Sequence, residues 1–252
     1  MTKRNTQQRR HTILSQVNEL GEVAVEALAE QFQTSEVTIR KDLTALEKSG
    51  LLLRRYGGAI ALPQEIVANS DSLRKMAIAQ AAASLINDHN RIIIDSGRTT
   101  AAMIPELAKK RGLVVMTNAI NVANRLLSLE NEPTLLMTGG TWDPHSESFQ
   151  GQVAESVLRS YDFDQLFIGA DGIDVERGTT TFNELVGLSQ VMAEAAREVI
   201  VLVESEKIGR RIPNLELPWQ NVTTLITDSG LALDTRKALE ACGVQLICAE
   251  VE

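Results

Sequence analysis

Thr34-Ser35-Glu36-Val37-Thr38-Ile39-Arg40-Lys41-Asp42-Leu43-Thr44-Ala45-Leu46-Glu47-Lys48 has the spacing of a short helix with two unlike faces. Ile39, Leu43 and Leu46 recur at i, i+4 and i+7, so one face can anchor the helix to a small core. At about 100° per residue, Val37, Lys41, Thr44 and Lys48 fall opposite, with Thr38 and Arg40 on the flanks. The hydroxyl of Ser35 is placed to cap the first turn. Upstream, Val23 to Phe32 has a second amphipathic pattern, joined through Gln33-Thr34. Two short helices joined this tightly read as a helix-turn-helix, whose second helix enters the DNA major groove. Spacing alone also fits an ordinary surface helix in a small bundle, and the residues that follow favour the first reading. Gly50 stops the helix, and Leu51 to Leu62 gives two short strands around Gly57-Gly58, a wing carrying Arg54, Arg55 and Tyr56 toward the phosphate backbone. The expected DNA-facing set is Ser35, Thr38, Arg40, Lys41, Thr44, Arg54, Arg55 and Tyr56.

Composition bounds the rest. A chain of 252 residues with 44% hydrophobic content has room for a small head and one larger core. No apolar run approaches the roughly 20 residues of a membrane span, and the polar, basic start lacks the apolar core of a secretory signal, so a cytoplasmic protein without a membrane partner is expected. The two cysteines, Cys242 and Cys248, suggest buried thiols in a reducing compartment. His11, His89 and His145 are scattered, and neither a metal nor a cofactor is expected. The net charge of −8 hides an asymmetry: residues 1–60 hold 9 Lys/Arg against 7 Asp/Glu, the remainder 16 against 26. Salt screens charges beyond about 10 Å, so local positive charge from Arg4, Arg9, Arg10, Arg40, Lys41, Arg54 and Arg55 counts for more than the total. About half of these are expected to be solvated surface charges.

Residues 8–20 form a first amphipathic helix with Ile13, Leu14, Val17 and Leu20 inward, ended by Gly21. The predicted division is a DNA-binding head over 1–62, a linker without clear period over 63–72, and a second domain over 73–252 that opens on an Ala-rich helix from Leu73 to Ile86. That domain alternates strand-like runs (91–95, 114–118, 134–138, 165–169, 198–203, 223–227, 244–248) with helical ones (99–110, 120–129, 153–160, 184–196, 235–242). The alternation indicates a doubly wound, mostly parallel α/β sheet, which places ligands beyond the carboxyl ends of its strands. Small, hydroxylated and glycine residues collect there: Asp95, Ser96, Gly97, Arg98, Thr99 and Thr100 after one strand, Thr117 and Asn118 after the next, then Gly139 and Gly140, and Asp171 and Gly172. Such residues admit backbone amides close to an anion, and Lys207 adds a point charge, with Arg210 and Arg211 nearby. Any one loop reads more readily as a tight turn capping a helix. Several on one end of one sheet favour a polyhydroxylated, phosphorylated ligand. None is a Walker loop or a dinucleotide fingerprint.

Ser35 to Leu43, Leu46-Glu47 and Arg54-Arg55-Tyr56-Gly57-Gly58-Ala59 resemble the N-terminal signature of the DeoR-family bacterial repressors. Asp95-Ser96-Gly97-x-Thr99-Thr100, Met116-Thr117-Asn118, Thr138-Gly139-Gly140, Phe167-Ile168-Gly169-x-Asp171-Gly172-Ile173-Asp174 and Lys207-x-Gly209 resemble that family's effector domain, a relative of the sugar-phosphate isomerase fold. Ser148-Phe149-x-Gly151-x-x-Ala154-Glu155 and Gly178-x-Thr180-Thr181-Phe182-Asn183-Glu184 are similar to repressors of glucitol and N-acetylgalactosamine operons. The resemblance implies a repressor that binds double-stranded operator DNA and is relieved by a phosphorylated sugar, hexitol or amino sugar. A single winged helix contacts few base pairs, which implies a homo-oligomer, a dimer or tetramer, on repeated half-sites. The competing class is an enzyme of isomerase or deaminase type, with Asp95, Asp171, Asp174 or Glu184 as acid or base. Arg98, Glu204, Glu206, Ile208 and Trp142-Asp143 depart from the family pattern and point to an altered ligand.

Overall fold

A computed structural model of the chain describes residues 3–48, 51–55, 57–60, 64–144, 146–182, 186–210 and 212–251. The chain divides into two compact units, Met1–Ser70 and Asp71–Glu252.

The first unit holds α1 (Lys3–Leu20), β1 (Glu22–Ala24), α2 (Val25–Gln31), α3 (Glu36–Lys48), β2 (Leu53–Arg55) and β3 (Gly58–Ile60). Ile13 and Val17 of α1, Val25 and Leu28 of α2, Ile39, Leu43 and Leu46 of α3 and Leu52 are all buried. Leu20 is 69% exposed instead of facing inward: it ends α1 one residue before Gly21 turns the chain away with φ +80°. The predicted second helix begins two residues late, because Glu22–Ala24 pairs antiparallel with β3 and makes the wing three-stranded in the order β1-β3-β2. Gly58 is required there, since a Cβ on it would run into the Val23 carbonyl. Gly50, at the expected end of α3, lies outside the described residues.

Helix α4 (Gln64–Ser84) crosses the division between the units. It takes in residues 64–72, predicted as linker. That stretch contains neither Gly nor Pro, and the Ala-rich pattern from Leu73 extends back through it. The second unit continues with β4 (Arg91–Ile94), α5 (Arg98–Ala101), β5 (Val114–Thr117), α6 (Ile120–Leu127), β6 (Thr134–Met137), β7 (Thr141–Asp143) and β8 (Ser148–Gln150). Then come α7 (Gln152–Leu158), β9 (Phe163–Gly169), β10 (Gly172–Asp174), β11 (Gly178–Thr181), α8 (Gly187–Glu194) and β12 (Ala196–Leu202). The chain closes with β13 (Asn214–Pro218), β14 (Thr224–Asp228), α9 (Leu233–Glu240) and β15 (Gln245–Ala249).

All seven strand-like runs join one parallel sheet, ordered β15-β14-β12-β9-β4-β5-β6. Its two faces are separate cores. Ile92, Ile94, Phe167, Ile200, Leu202 and Ile226 pack with Ile78 and Ala82 of α4 and Val122 and Leu126 of α6. Their neighbours Ile93, Leu166, Ile168, Val199, Val201 and Leu225 pack with Leu158 of α7, Leu188 and Met192 of α8 and Leu239 of α9. Helices on both sides explain why the strands read as unbroken apolar runs. Two elements were not predicted: an antiparallel sheet β10-β11-β13 and the hairpin β7-β8. The predicted helix 99–110 is broken into α5 and a 3-10 turn, Ile104–Lys109, because Pro105 has no amide proton for the α-helical ladder. Helix α8 begins at Gly187, and residues 183–185 lie outside the described set. Cys242 and Cys248 are half-buried free thiols.

Candidate functional site

In the first unit, burial of one face of α3 turns the other outward: Val37 is 59% exposed, and Arg40 and Lys41 are exposed beside it. Ser35 caps the helix, its hydroxyl accepting from the Thr38 amide at 3.3 Å. Thr44 Oγ1 donates to the Arg40 carbonyl at 2.7 Å and accepts from Arg54 Nη1 at 2.8 Å, so the wing and α3 are tied edge to edge. Arg54 is held again where its amide donates to Glu47 Oε1 at 3.1 Å. Arg40 pairs with Glu36 at 2.6 Å, and Arg55 pairs with Glu22 on β1. All four side chains of those pairs are exposed, so water screens them and an incoming phosphate or base can displace the carboxylate. Tyr56 lies outside the described residues.

Arg9 and Arg10 correct the sequence reading. Each donates its Nε to Asp42 at 2.7 Å, and Asp42 is 2% exposed. These cations lock α1 onto the inner side of α3; they do not extend the outward positive face.

In the second unit the loop residues gather beyond the carboxyl ends of the central strands. Asn118, after β5, donates Nδ2 to Asp95 Oδ1 at 2.9 Å and accepts from the Ser96 amide at 3.2 Å. Its carbonyl accepts from the Phe149 amide at 2.7 Å, which anchors the β7-β8 hairpin to the same corner. Gly140, with φ +113°, lets that hairpin approach: a Cβ would lie 2.6 Å from the Gln150 carbonyl. After β9, Asp171 Oδ2 accepts from Thr181 Oγ1 at 2.8 Å and from the Phe182 amide at 3.2 Å, joining the crevice to the small antiparallel sheet. Gly172 packs against Arg210. Lys207 donates Nζ to the Ala170 carbonyl at 3.3 Å.

Two expected donors are turned inward. Thr100 is fully buried with its hydroxyl directed at the Asp95 and Gly97 carbonyls, at 2.9 and 3.0 Å. Thr117 is likewise buried, its hydroxyl accepting from the Ala119 amide. Both shape the loops. Helix α5 has only four residues, so little dipole backs the Ser96-Gly97-Arg98 turn, and an anion there depends on amides and on nearby cations. Arg98 is exposed and Thr99 is buried. Gly139 has φ +61° in the turn beyond β6. Arg211 and the Asn183-Glu184 pair lie outside the described residues.

Sequence reasoning missed Glu216 and Lys75, and named Glu204 only as a departure from the family pattern. Glu216, on β13, accepts from Ser189 Oγ at 2.8 Å, and burial pushes its carboxyl up to about 8, with Asp95 and Asp171 adding to the shift. Burial also pushes Asp95 up to about 6 despite the donors Ser96 and Asn118, with Asp171 adding to the shift. The charges of Asp95 and Asp171 thus reach Glu216 on the small sheet. Glu204, 2% exposed, is the opposite case: burial works against its charge, but Lys207 and Lys75 outweigh it and hold its carboxyl below the usual range. A carboxylate at 204 was visible in the sequence; Lys75 carried no motif.

A winged head on a parallel α/β unit with a polar crevice at its strand ends has the layout of a ligand-responsive DNA-binding regulator. The sequence matches the DeoR-like helix-turn-helix domain over residues 9–65 and the DeoR C terminal sensor domain over residues 70–229, and the chain belongs to the DeoR family of transcription regulators. It is 38% identical over 252 residues to an Escherichia coli O157:H7 protein named as an aga operon transcriptional repressor, covering 96% of this chain and 93% of that one. It is 31% identical over 250 residues to the regulator GlpR of Haloferax volcanii, covering 95% and 96%. Among solved structures, ribose 5-phosphate isomerase A of Methanocaldococcus jannaschii matches with a TM-score of 0.40 and 19% identity, over 56% of this chain and 55% of that one. These sequence relatives are regulators, which sets aside the isomerase or deaminase reading. No described helix is long and apolar enough to cross a membrane.

Proposed function

We propose that the chain represses an amino-sugar or related sugar operon and is released from DNA by a phosphorylated sugar. The outward face of α3 enters the major groove. There Arg40 meets a guanine, Lys41, Thr38 and Thr44 approach neighbouring base edges or phosphates, and Val37 meets a thymine methyl. Arg54, Arg55 and Tyr56 fix the wing on the backbone. A homo-oligomer presents two or more heads to repeated half-sites.

The effector occupies the crevice beyond β4, β5 and β9. Lys207 and the amides around Ser96 to Arg98 take the phosphate, and Asp95, Asn118 and Asp171 accept hydroxyl hydrogens. The observation that carries this reading is the Lys207 ammonium donating to the Ala170 carbonyl, next to Asp171 and the Asn118-bonded Asp95 at the strand ends. It is a cation for an anionic group next to acceptors for a polyol. The relative named for the aga operon favours a phosphorylated N-acetylhexosamine. Control requires that the effector bind the DNA-competent and incompetent arrangements unequally.

A thermal-shift screen of the full chain with phosphorylated hexoses, hexitols and N-acetylhexosamines tests the reading, because a specific ligand raises apparent stability by mass action. The expected hit is an N-acetylhexosamine phosphate. A flat response to the whole panel overturns the sugar-phosphate assignment.

A further inference from the structure

Glu204 closes the carboxyl end of β12 at the start of the 3-10 turn Ser205–Lys207. It is 2% exposed, and its two oxygens face different cations. Oε1 lies 3.3 Å from Lys75 Nζ on α4, and Oε2 lies 3.4 Å from Lys207 Nζ. Among the described residues Oε2 has no hydrogen-bond donor, so the ion pair to Lys207 is long and unreinforced. Lys207 is the more exposed cation, at 28% against 15% for Lys75. The residue before Lys75 extends the same contact: Arg74 lies 3.9 Å from both Glu206 and the fully buried Asp228. Asp228 in turn accepts from the Ser205 amide and hydroxyl, both at 2.7 Å. The loop that presents Lys207 is therefore joined by charge to α4, the helix that runs back to Gln64 across the division of the chain.

We infer that Glu204 is a positioning residue that relays the occupancy of Lys207 to α4; the inference rests on Lys207 meeting the effector phosphate. A phosphate draws the ammonium of Lys207 away from Oε2. A buried carboxylate cannot stay half-compensated at low cost, so it turns to the cation that remains beside it. Lys75 is drawn in, and the stretch of α4 around it becomes more firmly held. An effector that touched only the crevice would thereby act on the helix leading toward the DNA-binding unit.

The relay can be tested with and without ligand by amide hydrogen exchange of residues 73–84 in the full chain. Without ligand, Lys207→Met withdraws the same charge and slows exchange there by about fivefold or more, the scale of a typical coupling between sites. Adding Lys75→Met abolishes the slowing, and Lys75→Arg in its place restores it, which a generally loosened fold would not do. N-acetylgalactosamine 6-phosphate slows exchange in the wild-type chain and not in Lys75→Met, which still binds it; inorganic phosphate is the control anion. Unchanged exchange in Lys207→Met, or equal slowing with and without Lys75, overturns the relay. Slowed exchange in Lys207→Met, with no response of the wild-type chain to any phosphorylated sugar, upholds the charge relay and overturns the effector assignment alone.

Discussion

Asp42 in the first unit and Glu204 in the second are each 2% exposed and each face two cations, yet they are built differently. Asp42 takes Arg9 and Arg10 through hydrogen bonds of 2.7 Å, one on each oxygen. Glu204 has two lysines at 3.3 and 3.4 Å and one oxygen without a donor. A guanidinium donates in a fixed fork and is always charged, whereas an ammonium is a mobile point charge that another anion can claim. The first arrangement is closed and belongs to the fold; the second is open and is suited to exchange. The same distinction separates the arginines of the head: Arg9 is sealed against Asp42, while Arg40 and Arg55 rest on exposed glutamates.

Asp42→Ala breaks the closed case and has the largest expected effect. It leaves Arg9 buried without its counter-charge, at a cost of about 3–5 kcal/mol. Thermal denaturation monitored in the head reads this directly, and a loss no larger than that of an exposed pair would remove the contrast. Lys207→Ala tests the open case. Effector affinity should fall by about 1.5–3 kcal/mol, the value of a hydrogen bond to a charged group. Operator binding should weaken as well, because loss of the Lys207 charge mimics an occupied site in the relay through Glu204. Calorimetry with an N-acetylhexosamine phosphate measures the first quantity, and a variant that still responds at wild-type concentrations misplaces the phosphate site. Arg40→Ala comes next, weakening operator binding by about 1–3 kcal/mol and blurring base preference at one position. Effector affinity should be unaffected; its loss would contradict the separation of the two roles.

The contrast was only half legible in the sequence. The seven strands of the parallel sheet could be read because Ile92-Ile93-Ile94 and its counterparts are buried on both faces, so no alternation obscures them. Helix α3 could be read because Ile39, Leu43 and Leu46 share one buried face and leave the other outward. The β10-β11-β13 sheet could not, since strands such as Gly172–Asp174 are too short for a period, although the run of threonines at 179–181 is a β-branched cue in retrospect. Strand β1 was hidden inside a helical pattern of the same apolar residues. The breaking of the helix after Thr99 was visible at Pro105 and was overridden by the amphipathic spacing around it. The partnerships of Asp42 with Arg9, Glu204 with Lys75 and Glu216 with Ser189 join distant parts of the chain, and local patterning does not encode them.

Glu216 gives the most specific effect of the four. Its carboxyl ordinarily titrates near 4.5, and in the fold it is pushed up to about 8 by burial, with Asp95 and Asp171 as further causes. Between those values the unfolded chain has lost the proton while the native chain keeps it, so stability is greatest below 4.5 and declines as pH rises toward 8. Asp95 adds a decline of the same sign between 3.8 and about 6. Glu216→Gln is neutral throughout and retains an oxygen for Ser189. It should therefore melt above wild type at pH 7.5, by about 2–4 °C for each kcal/mol relieved. The gap should narrow toward pH 5, where the remaining slope belongs to Asp95. Melting temperatures of both proteins from pH 5 to 8.5 resolve the two contributions. Parallel curves would mean that Glu216 is already ionised in the folded chain and holds a fixed negative charge beside Ser189.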